Sequence, residues 1–199
     1  MANRVECIAI GISTGGPPAL SSILAALEPP LPPIVIVQHM PPKFTQPLAM
    51  RLDSLSKLTV HEAAEGDALL PNHVFIAPGG RHTCIARHGN AVRIRICDGE
   101  PVSGHKPSID VMMAGVAEVF GRHALALIMT GMGHDGVEGC RAIHAAGGYV
   151  LGQDEASSDV YGMNKIAFTR GHVHRQFSLA TAAETILECI RGTAKAGRQ

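Results

Sequence analysis

The sequence predicts an α/β fold: a doubly wound, mainly parallel sheet with helices on both faces and an antiparallel hairpin insert. Buried-strand patterns alternate with helical patterns towards both ends of the chain, as is typical of parallel strands connected by helices. The middle of the chain has short β-rich runs instead, which indicates the insert. The 199 residues suffice for one domain with a full core. We therefore expect a single domain over 1–192 and a disordered tail over 193–199.

The N-terminal part predicts two buried strands and two helices. The runs 5–12 and 34–40 are almost entirely apolar, which is typical of parallel strands buried on both faces. Between them, the segment 17–27 predicts a helix whose prolines lie in the first turn, where the backbone N–H groups have no helical partner in any case. A second helix is predicted over 43–55, in which Pro47 is tolerable only as a residue of the first turn.

The middle part predicts four short strands, and the C-terminal part returns to alternating elements. The short strands lie within 58–63, 73–78, 81–87 and 91–97, and the His-Gly-Asn sequence at 88–90 predicts a hairpin between the last two. The later pattern predicts a helix over 108–120, a strand over 124–131, a helix over 136–148, a strand over 149–154 and a closing helix over 181–191.

Composition argues against several classes of function. Lys+Arg and Asp+Glu are equal at 17 each, so no basic excess points to a nucleic-acid partner. No apolar run reaches the ~18 residues that a membrane span needs, and the N-terminus is a poor signal peptide. The five cysteines are odd in number and contain no C-x-x-C pair, which predicts reduced, buried thiols. We expect a cytoplasmic protein with no membrane insertion.

The segment 11–16, Gly-Ile-Ser-Thr-Gly-Gly, follows the first strand and has three interpretations. As a dinucleotide-binding turn it lacks the middle glycine, which Ser13 replaces, and His39 stands where an acidic residue is expected. As a structural turn, Ser13 and Thr14 are good helix caps and the glycines suit a tight loop. As a catalytic loop, it would present Ser13 as a nucleophile, which needs a base and a carboxylate nearby.

Three loops together favour the catalytic interpretation. Ser13 follows the first strand, His39 ends the second, and Asp135 follows the strand predicted at 124–131. The carboxyl ends of neighbouring parallel strands form one crevice and lie ~4.8 Å apart, so these side chains can meet. Each partner has a structural alternative, since His39 could be a buried histidine and Asp135 could cap the helix predicted from Gly136.

The glycine-rich loops could also supply backbone N–H groups to a substrate oxygen. The candidates for oxyanion or substrate binding are Gly15, Gly16, Gly131 and Gly133. Metal binding is the weaker hypothesis: His172 and His174 share a strand-like spacing, with His134 and His144 as further candidates, but no tight ligand cluster is present. We expect neither a catalytic metal nor a cofactor.

Six segments resemble, in this order, the catalytic domain of the chemotaxis protein-glutamate methylesterase family. They are IGISTGGPPAL, VIVQHMPPKFTQPLAMRL, APGGRH, KPSIDVMM, MTGMGHDGVEG and YGMNKIA, and the resemblance runs from about Ile8 to Leu187. It implies that Ser13 is the nucleophile, His39 the base and Asp135 the carboxylate. It also implies supporting roles for Thr14 and for Met132, whose backbone would bind the oxyanion.

The same resemblance implies a function and a partner. The expected activity is a serine hydrolase that removes methyl groups from glutamyl γ-methyl esters of chemoreceptors and deamidates receptor glutamines. The expected partner is the cytoplasmic helical region of methyl-accepting chemoreceptors. The open alternatives are a Rossmann-like nucleotide- or protein-binding module without catalysis, and a serine esterase with another substrate.

The chain also departs from the family pattern. Asn164 stands where a proline is usual, Lys106 where an arginine is common, and segment 170–176 replaces a turn of small residues. Family members usually carry an N-terminal phospho-receiver domain. Only twelve residues precede Ser13, so we expect no receiver domain here, in either a stand-alone catalytic protein or an excised domain.

Overall fold

The computed structural model describes residues 4–192, which form nine strands and six α-helices. The strands are β1 (Cys7–Ile12), β2 (Ile34–Gln38), β3 (Thr59–Glu62), β4 (His73–Ile76), β5 (His82–His88), β6 (Ala91–Cys97), β7 (Ala124–Ile128), β8 (Tyr149–Gln153) and β9 (Arg175–Phe177). The helices are α1 (Gly16–Ala26), α2 (Thr45–Leu55), α3 (Ile109–Phe120), α4 (Val137–Ala145), α5 (Met163–Thr169) and α6 (Ala182–Ile190). Within these residues, no helix is long and apolar enough to cross a bilayer.

Seven strands form one sheet in the order β3-β4-β2-β1-β7-β8-β9, and all its pairings are parallel. From β1 the sheet extends through β2, β4 and β3 on one side and through β7, β8 and β9 on the other, which is the doubly wound arrangement that the sequence predicts. In such sheets the crevice for a ligand lies at the carboxyl edge where the strand order reverses. Here that point is β1, with β2 on one side and β7 on the other.

Each face of the sheet carries its own apolar core, because successive side chains of a strand point to opposite faces. On β1, Ile8, Ile10 and Ile12 belong to the core under α1, α2 and α6. Cys7 and Ala9 belong to the core under α3, α4 and α5. The helices therefore cover both faces, as predicted.

The hairpin β5–β6 is antiparallel and packs on α3. The contact is close: a Cβ on Gly115 of α3 would lie 2.9 Å from the backbone nitrogen of Ile85. Ile85 and Ile94 are buried against the α3 core. The insert is therefore fixed to the helix whose first turn lies at the carboxyl edge of the sheet.

The predicted elements differ from the structure mainly at their ends. The strands predicted over 34–40 and 124–131 end at Gln38 and Ile128, and two elements, α5 and β9, have no counterpart in the prediction. Of the four short strands in the middle, β3 and β4 join the parallel sheet, and only β5 and β6 form the antiparallel insert. The tail predicted over 193–199 lies outside the described residues.

Candidate active site

Ser13 is the first residue after β1, and its backbone is held on three sides. Its N–H donates to the Thr130 carbonyl at 3.0 Å, and its own carbonyl accepts from Gln38 Nε2 at 3.0 Å and from the Gly16 N–H at 2.9 Å. Among residues 4–192 its hydroxyl makes no hydrogen bond. The N-cap of α1 is Gly15, with a φ of 80° and no side-chain cap. Ser13 is therefore not a cap of helix α1.

Two of the loop glycines provide space for neighbouring side chains. The N–H groups of Gly16 and Gly131 are already occupied, donating to the carbonyls of Ser13 and Val160 at 2.9 Å each. These two glycines instead clear space, since a Cβ on Gly131 would lie 2.6 Å from the Ser13 Cβ.

The remaining candidate donors are open. Within the described part of the chain, the N–H groups of Thr14, Gly15, Met132 and Gly133 make no hydrogen bond. Met132 is 73 % exposed in the loop between β7 and α4, which also carries Asp135. These four amides are the ones free to hold a developing oxyanion.

His39 is the first residue after β2, in register with Ser13. Ile12 and Gln38 are partners across β1 and β2, and the His39 N–H donates to the Ile12 carbonyl at 3.1 Å. The imidazole is nearly buried, with 7 % of the side chain exposed. Its Nε2 lies 2.7 Å from Asp135 Oδ2, while its Nδ1 is buried and unpaired within the described residues.

This pairing sets the tautomer of His39. An ionised carboxylate only accepts hydrogen bonds, so Nε2 carries the proton and Nδ1 keeps its lone pair. Nδ1 is therefore the nitrogen available as a base. In the chymotrypsin arrangement the carboxylate binds the Nδ1 proton, whereas here the carboxylate faces Nε2.

Asp135 is fully buried and receives four hydrogen bonds. Besides His39, the donors are the Ser108 hydroxyl at 2.7 Å, the Ile109 N–H at 2.7 Å and the Asp110 N–H at 3.1 Å. Burial raises the pKa of Asp135, but the donors, His39 first among them, outweigh burial and hold that pKa below its ordinary value. Asp135 is therefore charged at neutral pH.

Asp135 does not cap the helix that follows it. The N-cap of α4 is Gly136, with no side-chain hydrogen bond. The carboxylate lies instead at the N-terminus of α3, whose N-cap is Ser108. The backbone N–H groups of a first helical turn, and the positive end of the helix dipole, stabilise a negative charge there.

Sequence reasoning missed several residues that position Ser13 and Asp135. Ser108 was not considered, although a serine before an amphipathic helix is a common N-cap signal. Gln38 and Gln153 end β2 and β8 and are buried; the first anchors the Ser13 loop, and the Oε1 of the second accepts from the Thr130 N–H at 2.9 Å. An amide side chain ending an apolar strand was the available signal for both.

His105 is a further residue that the sequence did not indicate. Its ring stacks on that of His39, with centroids 3.8 Å apart and planes 9° apart. Its Nδ1 donates to the Ser103 carbonyl at 2.8 Å. Both histidines line an open groove of about 290 Å³, whose other lining residues are Met40, Pro41, Gly104, Lys106 and Pro107.

Comparison with known proteins identifies the family to which the chain belongs. A family model described as CheB methylesterase matches residues 8–186. The chain belongs to the CheB methylesterase family. It is 48 % identical over 184 residues to a protein-glutamate methylesterase/protein-glutamine glutaminase of Treponema denticola, covering 92 % of this chain and 50 % of that protein. A protein of the same name from Pectobacterium atrosepticum is 46 % identical over 185 residues, covering 93 % and 53 %.

A solved structure of the family supports the fold. The catalytic domain of Thermotoga maritima CheB methylesterase matches with a TM-score of 0.90 and 36 % sequence identity, over 92 % of this chain and 98 % of that one. The family and the fold class predicted from the sequence are thereby confirmed. The chain spans about half the length of the curated relatives it matches.

One departure from the usual CheB pattern has a local explanation. Asn164, where a proline is usual, is buried, and its Nδ2 donates to the Gln153 carbonyl and to Ser158 Oγ at 2.8 Å each. A proline at the start of α5 could make neither bond. Asn164 therefore links α5 to β8, at the end of β8 where Gln153 supports the Thr130 backbone.

Within the described range, one group of three potential metal ligands lies together: His39, His105 and Asp135, with ligand atoms within 4.8 Å of one another. The stacked rings argue against a shared ion, because a metal lies near the plane of each imidazole that binds it and these planes are parallel. The histidines weighed as metal ligands, at 134, 144, 172 and 174, form no such group among residues 4–192.

Proposed function

We propose that this CheB methylesterase domain hydrolyses the γ-methyl esters of glutamyl side chains in chemoreceptors, and deamidates receptor glutamines, with Ser13, His39 and Asp135 as catalytic residues. The observation that carries the proposal is the state of His39. One ring nitrogen is held by a buried carboxylate, and the other has no partner among residues 4–192 and lies at the strand end next to β1, which Ser13 follows.

In the first half of the reaction, Ser13 Oγ attacks the carbonyl carbon of the ester. His39 Nδ1 takes the hydroxyl proton, and Asp135 stabilises the resulting imidazolium without itself taking a proton. The negative charge on the carbonyl oxygen is held by free backbone amides, for which Thr14, Gly15, Met132 and Gly133 are the candidates. His39 then returns the proton to the leaving group, which is methanol for an ester and ammonia for a glutamine.

In the second half, water replaces the leaving group. His39 Nδ1 takes a proton from the water as its oxygen attacks the acyl carbon, and the same proton returns to Ser13 Oγ when the acyl–oxygen bond breaks. The product is a glutamate side chain. No step needs a metal or a cofactor.

The macromolecular substrate is proposed to be the cytoplasmic helical region of a methyl-accepting chemoreceptor, and the site of action the cytoplasm. The groove beside His39 is open, as attack on a side chain of another folded protein requires. Residues 1–192 are proposed to act as a single catalytic domain.

The direct test replaces Ser13 with alanine and measures methanol release from methylated receptor membranes. We expect methanol release to be abolished while the melting temperature stays unchanged, because the Ser13 hydroxyl makes no hydrogen bond within residues 4–192. A Ser21→Ala variant is a matched control, since Ser21 lies in α1 and its hydroxyl donates to the Pro17 carbonyl of the same helix at 2.9 Å. Retained methanol release in Ser13→Ala would reject the nucleophile and favour a binding module.

Hydrolysis of a small aryl ester distinguishes the proposed activity from that of a general serine esterase. A CheB-type enzyme should release methanol from methylated receptors far faster than from receptors unfolded beforehand, because it must recognise a helical surface. A general serine esterase should hydrolyse the aryl ester efficiently and show no preference for folded receptors.

A further inference from the structure

Two cysteines of the hairpin lie within bonding reach of each other. Cys84 of β5 and Cys97 of β6 are only half-buried, contrary to the expectation of buried thiols, and their sulfur atoms are 3.0 Å apart. The register pairs Cys97 with His82 and Cys84 with Arg95, so the two thiols occupy diagonal positions on one face of the hairpin. A disulfide needs a sulfur separation of about 2.05 Å, so the sulfur atoms must approach by about 1 Å.

The remaining cysteines differ in their surroundings. Cys7, Cys140 and Cys189 are buried. Burial keeps a small disulfide away from these three thiols, and it also raises the pKa of each of them. Burial and the neighbouring Cys97 also raise the pKa of Cys84, to about 12. The hairpin pair is distinguished by partial exposure and by a partner at 3.0 Å.

The hairpin is connected to the proposed catalytic residues through hydrogen bonds. His82, the cross-strand partner of Cys97, is buried; its Nε2 donates to the Glu100 carbonyl at 3.0 Å and its Nδ1 accepts from the Ser108 N–H at 3.3 Å. The Ser108 hydroxyl in turn donates to Asp135 at 2.7 Å.

The chain itself provides a second connection. The strand that ends at Cys97 continues directly into the loop 98–108, which carries His105 onto the ring of His39. A displacement of the end of β6 therefore reaches both the carboxylate and the base of the triad.

We propose that Cys84 and Cys97 are a reversible thiol–disulfide site, and that formation of the disulfide slows hydrolysis by shifting the 98–108 loop. The oxidant is a small disulfide such as oxidised glutathione. One cysteine thiolate attacks it and releases one glutathione thiol; the second cysteine then attacks the mixed disulfide and releases the other. The two cysteines lose two protons and two electrons, and the small disulfide gains both. The effect on hydrolysis rests on the proposed function, whereas formation of the bond does not.

The first experiment measures the bond itself. The domain is equilibrated with mixtures of reduced and oxidised glutathione, and its intact mass and free thiols are determined. We expect the loss of two hydrogen atoms and of two thiols, with the bond mapped to Cys84 and Cys97. Cys84→Ser and Cys97→Ser should not form it, whereas Cys189→Ser, the matched control, should. Glutathione adducts on separate cysteines without an internal bond would overturn the site.

The second experiment measures the effect of the disulfide on hydrolysis and on the two stacked histidines. Oxidation should lower kcat for methanol release about tenfold, since a displacement approaching 1 Å at a catalytic group can cost up to about 10²-fold. Dithiothreitol should restore the rate, and Cys97→Ser should be insensitive. The imidazole proton resonances of His39 and His105 should shift on oxidation, which reports the coupling even if receptor methyl esters are not the substrate. An oxidised domain with unchanged kcat and unchanged resonances would overturn the coupling.

Discussion

Replacement of Gly131 by alanine tests whether the position of Ser13 depends on the loop that follows β7. A Cβ at Gly131 would lie 2.6 Å from the Ser13 Cβ and 2.6 Å from the Met163 Cε. Carbon atoms in contact prefer about 3.5–4.0 Å, so one neighbour must move by about 1 Å. Because the Ser13 backbone is hydrogen-bonded on both sides, its displacement moves the hydroxyl relative to His39.

The expected cost follows from that displacement. A misplacement of about 1 Å at a reacting group can reduce the rate about 10²-fold, which corresponds to about 2.7 kcal/mol in the activation barrier. We therefore expect kcat for methanol release to fall about 10²-fold in Gly131→Ala. Circular dichroism and the melting temperature of the variant show whether the fold is retained.

A second variant separates the two contacts. Met163→Leu removes the terminal methyl group that meets the new Cβ, and such a swap between similar volumes usually costs less than about 1.5 kcal/mol. If the Ser13 contact is responsible, the double variant Gly131→Ala, Met163→Leu stays about as slow as Gly131→Ala. Recovery of the wild-type kcat in the double variant would refute the reasoning, because the clash would then lie with Met163 alone.

Three further variants follow from the contacts of the site and from the burial of His174. Asp135→Asn should lower kcat by about 10⁴-fold with the fold intact, because an amide cannot stabilise the imidazolium of His39; wild-type kcat would contradict the assigned carboxylate. Ser108→Ala should lower the free energy of unfolding in urea by roughly 1–3 kcal/mol, since both the N-cap of α3 and a donor to a buried carboxylate are lost; an unchanged urea midpoint would contradict it. Burial, with His144 nearby, lowers the pKa of His174 below its ordinary value. The folded state then binds fewer protons than the unfolded state, so this contribution to stability is present above about pH 6.5 and lost as the pH falls through the folded pKa. His174→Phe should therefore flatten the loss of stability between neutral and acid pH in urea titrations, and an unaltered slope would exclude His174 as its source.

The long apolar strands could be predicted from the sequence, whereas the shortest elements could not. Long apolar runs such as β1 and β2 predict buried parallel strands, but hydrophobicity alone does not indicate where strand hydrogen bonding ends. His39 was therefore placed inside a strand that ends one residue earlier. The three-residue edge strand β9 and the seven-residue helix α5 are too short to show a period, and the N-cap of α5 is Gly162, which has no side chain to signal a helix start.

The candidate site could be predicted in outline for a topological reason. In a doubly wound sheet, the loops that follow β1, β2 and β7 lie at one edge, so Ser13, His39 and Asp135 could be grouped from their positions in the chain. The supports of Asp135 could not, because they belong to the first turn of α3. A local sequence pattern does not indicate which loop a helix terminus packs against. For α3, this contact depends on how the helix lies between the sheet and the hairpin.

The same strand order explains why His39 uses Nε2, and not Nδ1, towards the carboxylate. Neighbouring strands lie about 4.8 Å apart. Asp135 follows β7, which is two strands from β2, so only the far end of the imidazole reaches it, at 2.7 Å. Ser13 follows β1, the strand between them, so the order β2, β1 and β7 places the Ser13 loop between His39 and the loop that carries Asp135. In the proposed mechanism Nδ1 is the ring nitrogen left for Ser13, because Nε2 is taken by the carboxylate, and this is the reverse of the chymotrypsin assignment.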